Sequence, residues 1–156
     1  MEKTNVMRLL DKAKIKYIPH EYDPSVTDGQ TVAQLVGADP SATFKTLVCL
    51  SDKNEPLVFV VPVDASLDLK KAAKAAGVKS AAMLKQKDLL GLTGYVHGGC
   101  SPIGMKKRFR TFFHSSFTAY ETVFFSAGKL GHQVELAPAD ALGYLGAGTA
   151  DLVSEA

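Results

Sequence analysis

The chain has 156 residues, 46% apolar and 22% charged, with a formal net charge of +2. This is an ordinary composition for a globular protein, and one domain of this length buries roughly two thirds of its unfolded surface. No apolar run reaches the ~20 residues of a membrane span, and two cysteines, Cys49 and Cys100, make neither a disulfide framework nor a structural zinc site.

Met1 to Lys16 is amphipathic and Lys-rich without the apolar stretch of a signal peptide, so a cytoplasmic protein is expected. Thr4 is placed to cap a first helix, on which Val6, Leu9, Leu10 and Ala13 recur at helical spacing. Tyr17 to Tyr22 reads as a short strand before a turn at Asp23-Pro24. After Asp28-Gly29, the residues Val32, Leu35 and Val36 form a short helical stripe that Gly37 ends. Phe44–Leu50 and Leu57–Val61 are nearly continuous apolar runs. They predict central strands buried on both faces and joined as a hairpin through Asp52–Glu55. A helix over Asp68–Ala76 follows, with Leu69, Ala72, Ala73 and Ala76 on its inner face and Gly77 as its stop. Lys70, Lys71 and Lys74 are expected to point to water. A shorter helix is expected over Lys85–Leu90. Glu121–Gly128 and His132–Ala137 read as two strands, Pro138 opens a last helix over Ala139–Leu145, and Ala150–Val153 reads as a minor strand. The expectation is a single α/β domain over 1–156, a mixed β-sheet surrounded by helices. No glycine fingerprint stands between a strand and a helix, so it is not a doubly wound nucleotide fold.

Charge is unevenly placed. Lys70 to Arg110 holds ten Lys or Arg against one acid, Asp88, a local +9, while the remaining residues hold eight bases against fifteen acids. Such asymmetry points to a phosphate-bearing partner, against the plainer reading of a solvated face. Lys45 shares a strand face with Leu47 and Cys49. It either snorkels to the rim or is a point charge aimed into a cleft. The stretch Gly98–Gly104 offers backbone N–H groups free of side-chain obstruction, which can hold an anion or oxyanion; the plainer reading is a turn. Pro102 fixes that turn and biases Ser101 towards an extended backbone. Cys100 is a nucleophile only if a base lowers its pKa, and free cysteine is more commonly a small buried hydrophobe. The four histidines have no metal-ligand spacing, and the carboxylates show no acid–base pair. Ser126 and Lys129 sit at a strand end that can line the same cleft as the glycine loop.

Four segments occur together and in order: Phe44–Val48 (FKTLV), Leu67–Lys79, Thr93–Arg108 (TGYVHGGCSPIGMKKR) and Ser126–Pro138 (SAGKLGHQVELAP). In these the whole chain resembles the YbaK/EbsC family of aminoacyl-tRNA deacylases, relatives of the editing domain of bacterial prolyl-tRNA synthetase. The resemblance implies a mixed-sheet α/β fold and removal of cysteine from tRNA(Pro), and also from tRNA(Cys), with no cofactor or metal. It implies catalytic roles for Lys45, Gly98, Gly99 and Ser101, and substrate contacts from Tyr22, Pro102, Ser126 and Gly128. Gln133, where many members carry an acidic or small residue, joins the substrate contacts. Asp28 to Thr31 also departs from the cysteine-specific members. The family mechanism uses the substrate's own thiol, which attacks the ester and leaves as a cyclic thiolactone. Lys70, Lys71, Lys74, Lys106, Lys107, Arg108 and Arg110 are then the expected tRNA contacts, and prolyl-tRNA synthetase is a candidate partner. A non-catalytic tRNA- or nucleotide-binding module stays open, as does a deacylase for another small residue such as alanine.

Overall fold

Side-chain caps set the helix starts. In the computed structural model, which describes residues 2–154, Thr4 Oγ1 accepts from Met7 N–H and opens α1 (Asn5–Lys12). Asp28 caps α2 (Gly29–Leu35) through Thr31 N–H, and Asp68 caps α3 (Leu69–Ala76) through Lys70 and Lys71 N–H. Each carboxylate satisfies amides that the helix itself leaves without partners. Gly77 ends α3 in the left-handed region, as its position after the last alanine requires. The later helices are α4 (Gln86–Thr93) and α5 (Pro138–Leu145).

The strands are β1 (Ile18–Glu21), β2 (Phe44–Ser51), β3 (Pro56–Pro62), β4 (Ala81–Met83), β5 (Arg110–His114), β6 (Val123–Ser126), β7 (His132–Leu136) and β8 (Gly148–Ala150). They form two sheets: three strands in the order β1-β7-β6, and five in the order β4-β2-β3-β5-β8. The expected mixed sheet is the five-stranded one, where β2 and β3 pair as the antiparallel hairpin and β3, β5 and β8 run parallel. A parallel bridge between Thr43 and Phe124 ties the two sheets where β2 begins.

β3 is the centre of the core. Leu57, Phe59 and Val61 pack under Ala72 and Ala76 of α3, while Val58 and Val60 join Val6, Leu10, Phe113 and Phe117 on the other face. Burying each such side chain contributes roughly 1.5–3 kcal/mol. The apolar run therefore reads correctly as a strand covered on both sides. β2 differs: its first half, Lys45 to Leu47, is only partly buried, because one face there opens onto a cavity.

Three expectations need correction. Leu69 is not on the packed face of α3; it is 38% exposed. Lys71 does not point freely to water. Its ammonium donates to Asp151 Oδ2 at 2.9 Å and to Val153 O at 2.8 Å, tying α3 to the C-terminal segment. The minor strand lies earlier, as β8, while Val153 makes a bridge to Leu67.

Candidate functional site

Where the two sheets meet, a cavity of about 360 Å³ opens between β2, the start of α2, the 97–100 loop and the ends of β6 and β7. The start of β2 borders it, and Lys45, Thr46 and Leu47 form one wall. Burial pushes the Lys45 ammonium below its ordinary range, and the carboxylates of Asp64 and Asp28 partly restore it. Asp28 is held by Thr31, whose N–H and hydroxyl donate at 3.0 and 2.7 Å, and these bonds keep its carboxyl below the usual range. Gly29 is required beside it, since a Cβ there would lie 2.7 Å from Val63 Cγ1. α2 can therefore start close enough to β3 for Asp28 to face the cavity.

The opposite wall comes from the three-stranded sheet. Ser126 and Gln133 are cross-strand partners and lie on one face. Gln133 is 5% exposed, yet its Oε1 has no hydrogen-bond partner, and the same is true of the buried Thr46 Oγ1. Two such atoms, one on each wall of the cavity, are costly to the fold, since a buried polar atom without a partner loses about 1–3 kcal/mol. Both side chains belong to the cavity lining. Tyr22, His97, Gly98 and Cys100 are also part of the lining, and burial raises the Tyr22 phenol above its ordinary range.

Of the residues expected in the site, the structure brings Tyr22, Lys45, Gly98, Ser126 and Gln133 together. It places the others elsewhere. Gly99 N–H donates to Val96 O at 3.0 Å, and a Cβ at Gly99 would sit 3.2 Å from Leu130 N, so this glycine closes a turn against the 129–130 backbone. Ser101 is fully buried, its Oγ accepting from Ile103 N–H at 3.3 Å. Gly128 packs on Tyr95 and Val6, and Ser126 Oγ accepts its N–H at 3.1 Å. Pro102 lines a different cleft. These residues shape the loop around Tyr95, whose hydroxyl donates to Ile103 O. Thr46 was not singled out from the sequence, where Asp28 enters as a turn residue and within the Asp28–Thr31 stretch that departs from the cysteine-specific members.

A family model described as the aminoacyl-tRNA editing domain matches residues 23–144, which hold nearly all of this cavity. The chain belongs to that family. It is 45% identical over 139 residues to a protein of Enterococcus faecalis described as a candidate Cys-tRNA(Pro)/Cys-tRNA(Cys) deacylase, EbsC, covering 88% of this chain and 85% of that one. Among solved structures it is similar to a candidate trans-editing enzyme for prolyl tRNA synthetase, at 24% identity and TM-score 0.85 over 99% of this chain and all of the other. It is also similar to a hypothetical protein at 20% identity and TM-score 0.89, over 97% of this chain and all of that one. At such identities these two structures speak for the fold alone.

In this editing domain the basic residues sit on several elements. Lys70 and Lys74 are exposed on α3, and Lys106 reaches Gly91 O at 3.3 Å. Arg110 is committed to Glu55 at 2.8 and 3.0 Å and to Ala76 O at 2.9 Å, so it anchors β5 to the β2–β3 turn and α3. Lys107 and Arg108 border the second cleft with Pro102.

Cys100 lines the cavity, but burial pushes its thiol up to about 12, and at neutral pH it is not a thiolate. Cys100→Ala should therefore keep deacylation within about threefold of wild type, with stability lower by roughly 1 kcal/mol for the lost buried sulfur. Initial rates on a mischarged tRNA check this. A loss of several orders of magnitude would reinstate a protein nucleophile.

Proposed function

We propose that this protein is a trans-acting aminoacyl-tRNA editing deacylase of the cytoplasm, with Cys-tRNA(Pro) its favoured substrate and Cys-tRNA(Cys) also accepted. The observation that carries the reading is the cavity itself. It holds one half-buried ammonium, Lys45, and two polar side chains with unpartnered oxygens, Thr46 and Gln133, beside Gly98. That equipment suits binding and orienting a polar ester better than supplying a nucleophile.

In this reading the terminal aminoacyl-adenosine enters the cavity. Lys45 neutralises charge on a phosphate or on the ester oxygen as it develops, and Gln133 Oε1 accepts from the α-ammonium of the amino acid. The cysteinyl sulfur attacks its own ester carbonyl. The C–S bond forms, the C–O bond to the ribose breaks, and the thiol proton ends on the ribose hydroxyl. A cyclic thiolactone and free tRNA leave. Holding the thiol near the carbonyl supplies several kcal/mol of the barrier, and one well-placed electrostatic contact about 3 more.

The same tRNA charged with cysteine, serine or alanine tests this. Cysteine should be released at least about 100-fold faster than serine, because only a thiol can make the attack unaided. Equal release of alanine would point to an activated water instead. Tight tRNA binding with no release of any amino acid would leave a binding module.

A further inference from the structure

The second cleft, about 630 Å³, lies on the far side of the glycine loop from the Lys45 cavity. Its volume is within the range of ligand sites, about 300–1,000 Å³. One loop lines both spaces: Cys100 faces the first and Pro102 the second, two residues apart, so their Cα atoms are no more than ~7 Å from each other. The walls of the second cleft combine two chemistries. Phe109 and Tyr144 supply partly buried aromatic residues, while Lys107 and Arg108 stand exposed at its border. No carboxylate is among the residues that line it, and no ion pair engages Lys107 or Arg108 among the described residues. The local +9 of the sequence thus narrows here to two cations outside any ion pair, beside aromatic surface. That pairing recognises a base and its phosphate together: rings offer a stacking face to any base, and the cations hold the backbone.

We infer that this cleft is a nucleotide subsite that takes an unpaired nucleotide of the tRNA 3′ end, next to the aminoacyl-adenosine held in the Lys45 cavity. The inference rests on the deacylase reading for its choice of RNA. Arg108 also donates to Tyr144 O at 3.4 Å, at the C-terminal end of α5, so it borders the wall whose ring would stack on the base. Because one loop borders both spaces, the proposal sets them at neighbouring positions along one strand.

Two substrates separate this subsite from the catalytic cavity: full Cys-tRNA(Pro), and cysteinyl-adenosine, which lacks every nucleotide the second cleft could hold. The double variant Lys107→Ala/Arg108→Ala should raise KM for the tRNA about tenfold or more with kcat little changed, and leave cysteinyl-adenosine unaffected. The slope of log KM against log salt should fall by roughly 0.7 per lost phosphate contact. Tyr144→Leu, which keeps apolar bulk but removes the stacking face, should weaken tRNA without changing that slope. Equal impairment on both substrates, or no change on either, overturns the subsite. If wild-type protein cleaves neither, the deacylase reading fails separately. Fluorescence binding of an RNA hairpin with an unpaired 3′ ACCA end then decides the cleft: about tenfold loss in the double variant supports it, and unchanged affinity overturns it. Loss of binding to free AMP in that variant, with hairpin affinity intact, would also overturn it in favour of a mononucleotide site.

Discussion

Replacing Lys45 with methionine should lower deacylation of Cys-tRNA(Pro) roughly 100-fold or more, the usual effect of deleting one preorganised electrostatic contact, without lowering Tm. The two halves of this expectation have one cause. Desolvation at the start of β2 is the largest influence on the Lys45 ammonium and holds its pKa below the free-lysine value, against the pull of Asp64 and Asp28. A lysine with a lower pKa folded than unfolded makes the charged native state less stable. That penalty is complete below the folded pKa and disappears as pH rises through it to the unfolded value, about 10.4. At neutral pH methionine removes the penalty while keeping an apolar stem of similar reach. Tm should therefore stay level or rise as activity falls. By the same sign, wild-type activity should decline on the alkaline side at a lower pH than an exposed lysine would give. Parallel measurement of kcat/KM and Tm decides between roles: full activity removes Lys45 from the mechanism, and a fall of several degrees in Tm makes it structural.

Lys45 is also the point at which sequence and structure agree most usefully. A single charge in the run FKTLVCL either rims a sheet or enters a cleft, and strand alternation leaves only the choice of face. Helix starts were equally legible, because Thr4, Asp28 and Asp68 act on amides only two or three residues away. β4 and β5 were not. Ala81–Met83 has no alternation of its own and is a strand because it pairs with Cys49–Ser51. Arg110–His114 begins with a charge that looked like an RNA contact, and its partners, β3 and β8, run parallel across long connections. Such pairing leaves no local pattern.

The glycine loop shows the other limit. Gly98 and Gly99 looked alike as providers of open backbone, but what a glycine is for depends on what approaches it. Gly99 lies against the backbone of Leu130, and Gly104 leaves room for the Tyr95 hydroxyl, 2.6 Å from where its Cβ would be. Only Gly98 is part of the Lys45 cavity wall. Much of the motif's glycine content therefore builds the loop around Tyr95. Thr46 and Gln133 lie 87 positions apart in sequence and meet only through the junction of the two sheets.

Gln133→Leu should lower kcat/KM on Cys-tRNA(Pro) by about 10- to 100-fold and raise stability by roughly 1 kcal/mol, within the range for removing a buried acceptor that lacks a partner. Gln133 is 5% exposed, and its Oε1 meets no donor in the fold. Leucine fills similar volume without that orphaned oxygen, so the native state loses a penalty and no bond at Oε1. The substrate, in contrast, loses the acceptor for its α-ammonium. Gln133→Glu discriminates further: it keeps an acceptor oxygen but places a carboxylate at a buried position, so activity should survive better than in the leucine variant and stability should be worse. If the leucine variant keeps full activity, the oxygen serves no guest. If it unfolds more easily than wild type, Gln133 is bonded in the native state after all. With Lys45→Met the expected pattern is the same: lower activity at equal or higher stability. A residue retained only for packing gives the reverse pairing, as expected for Cys100, so the two measurements together separate the groups that meet the substrate from those that hold the fold.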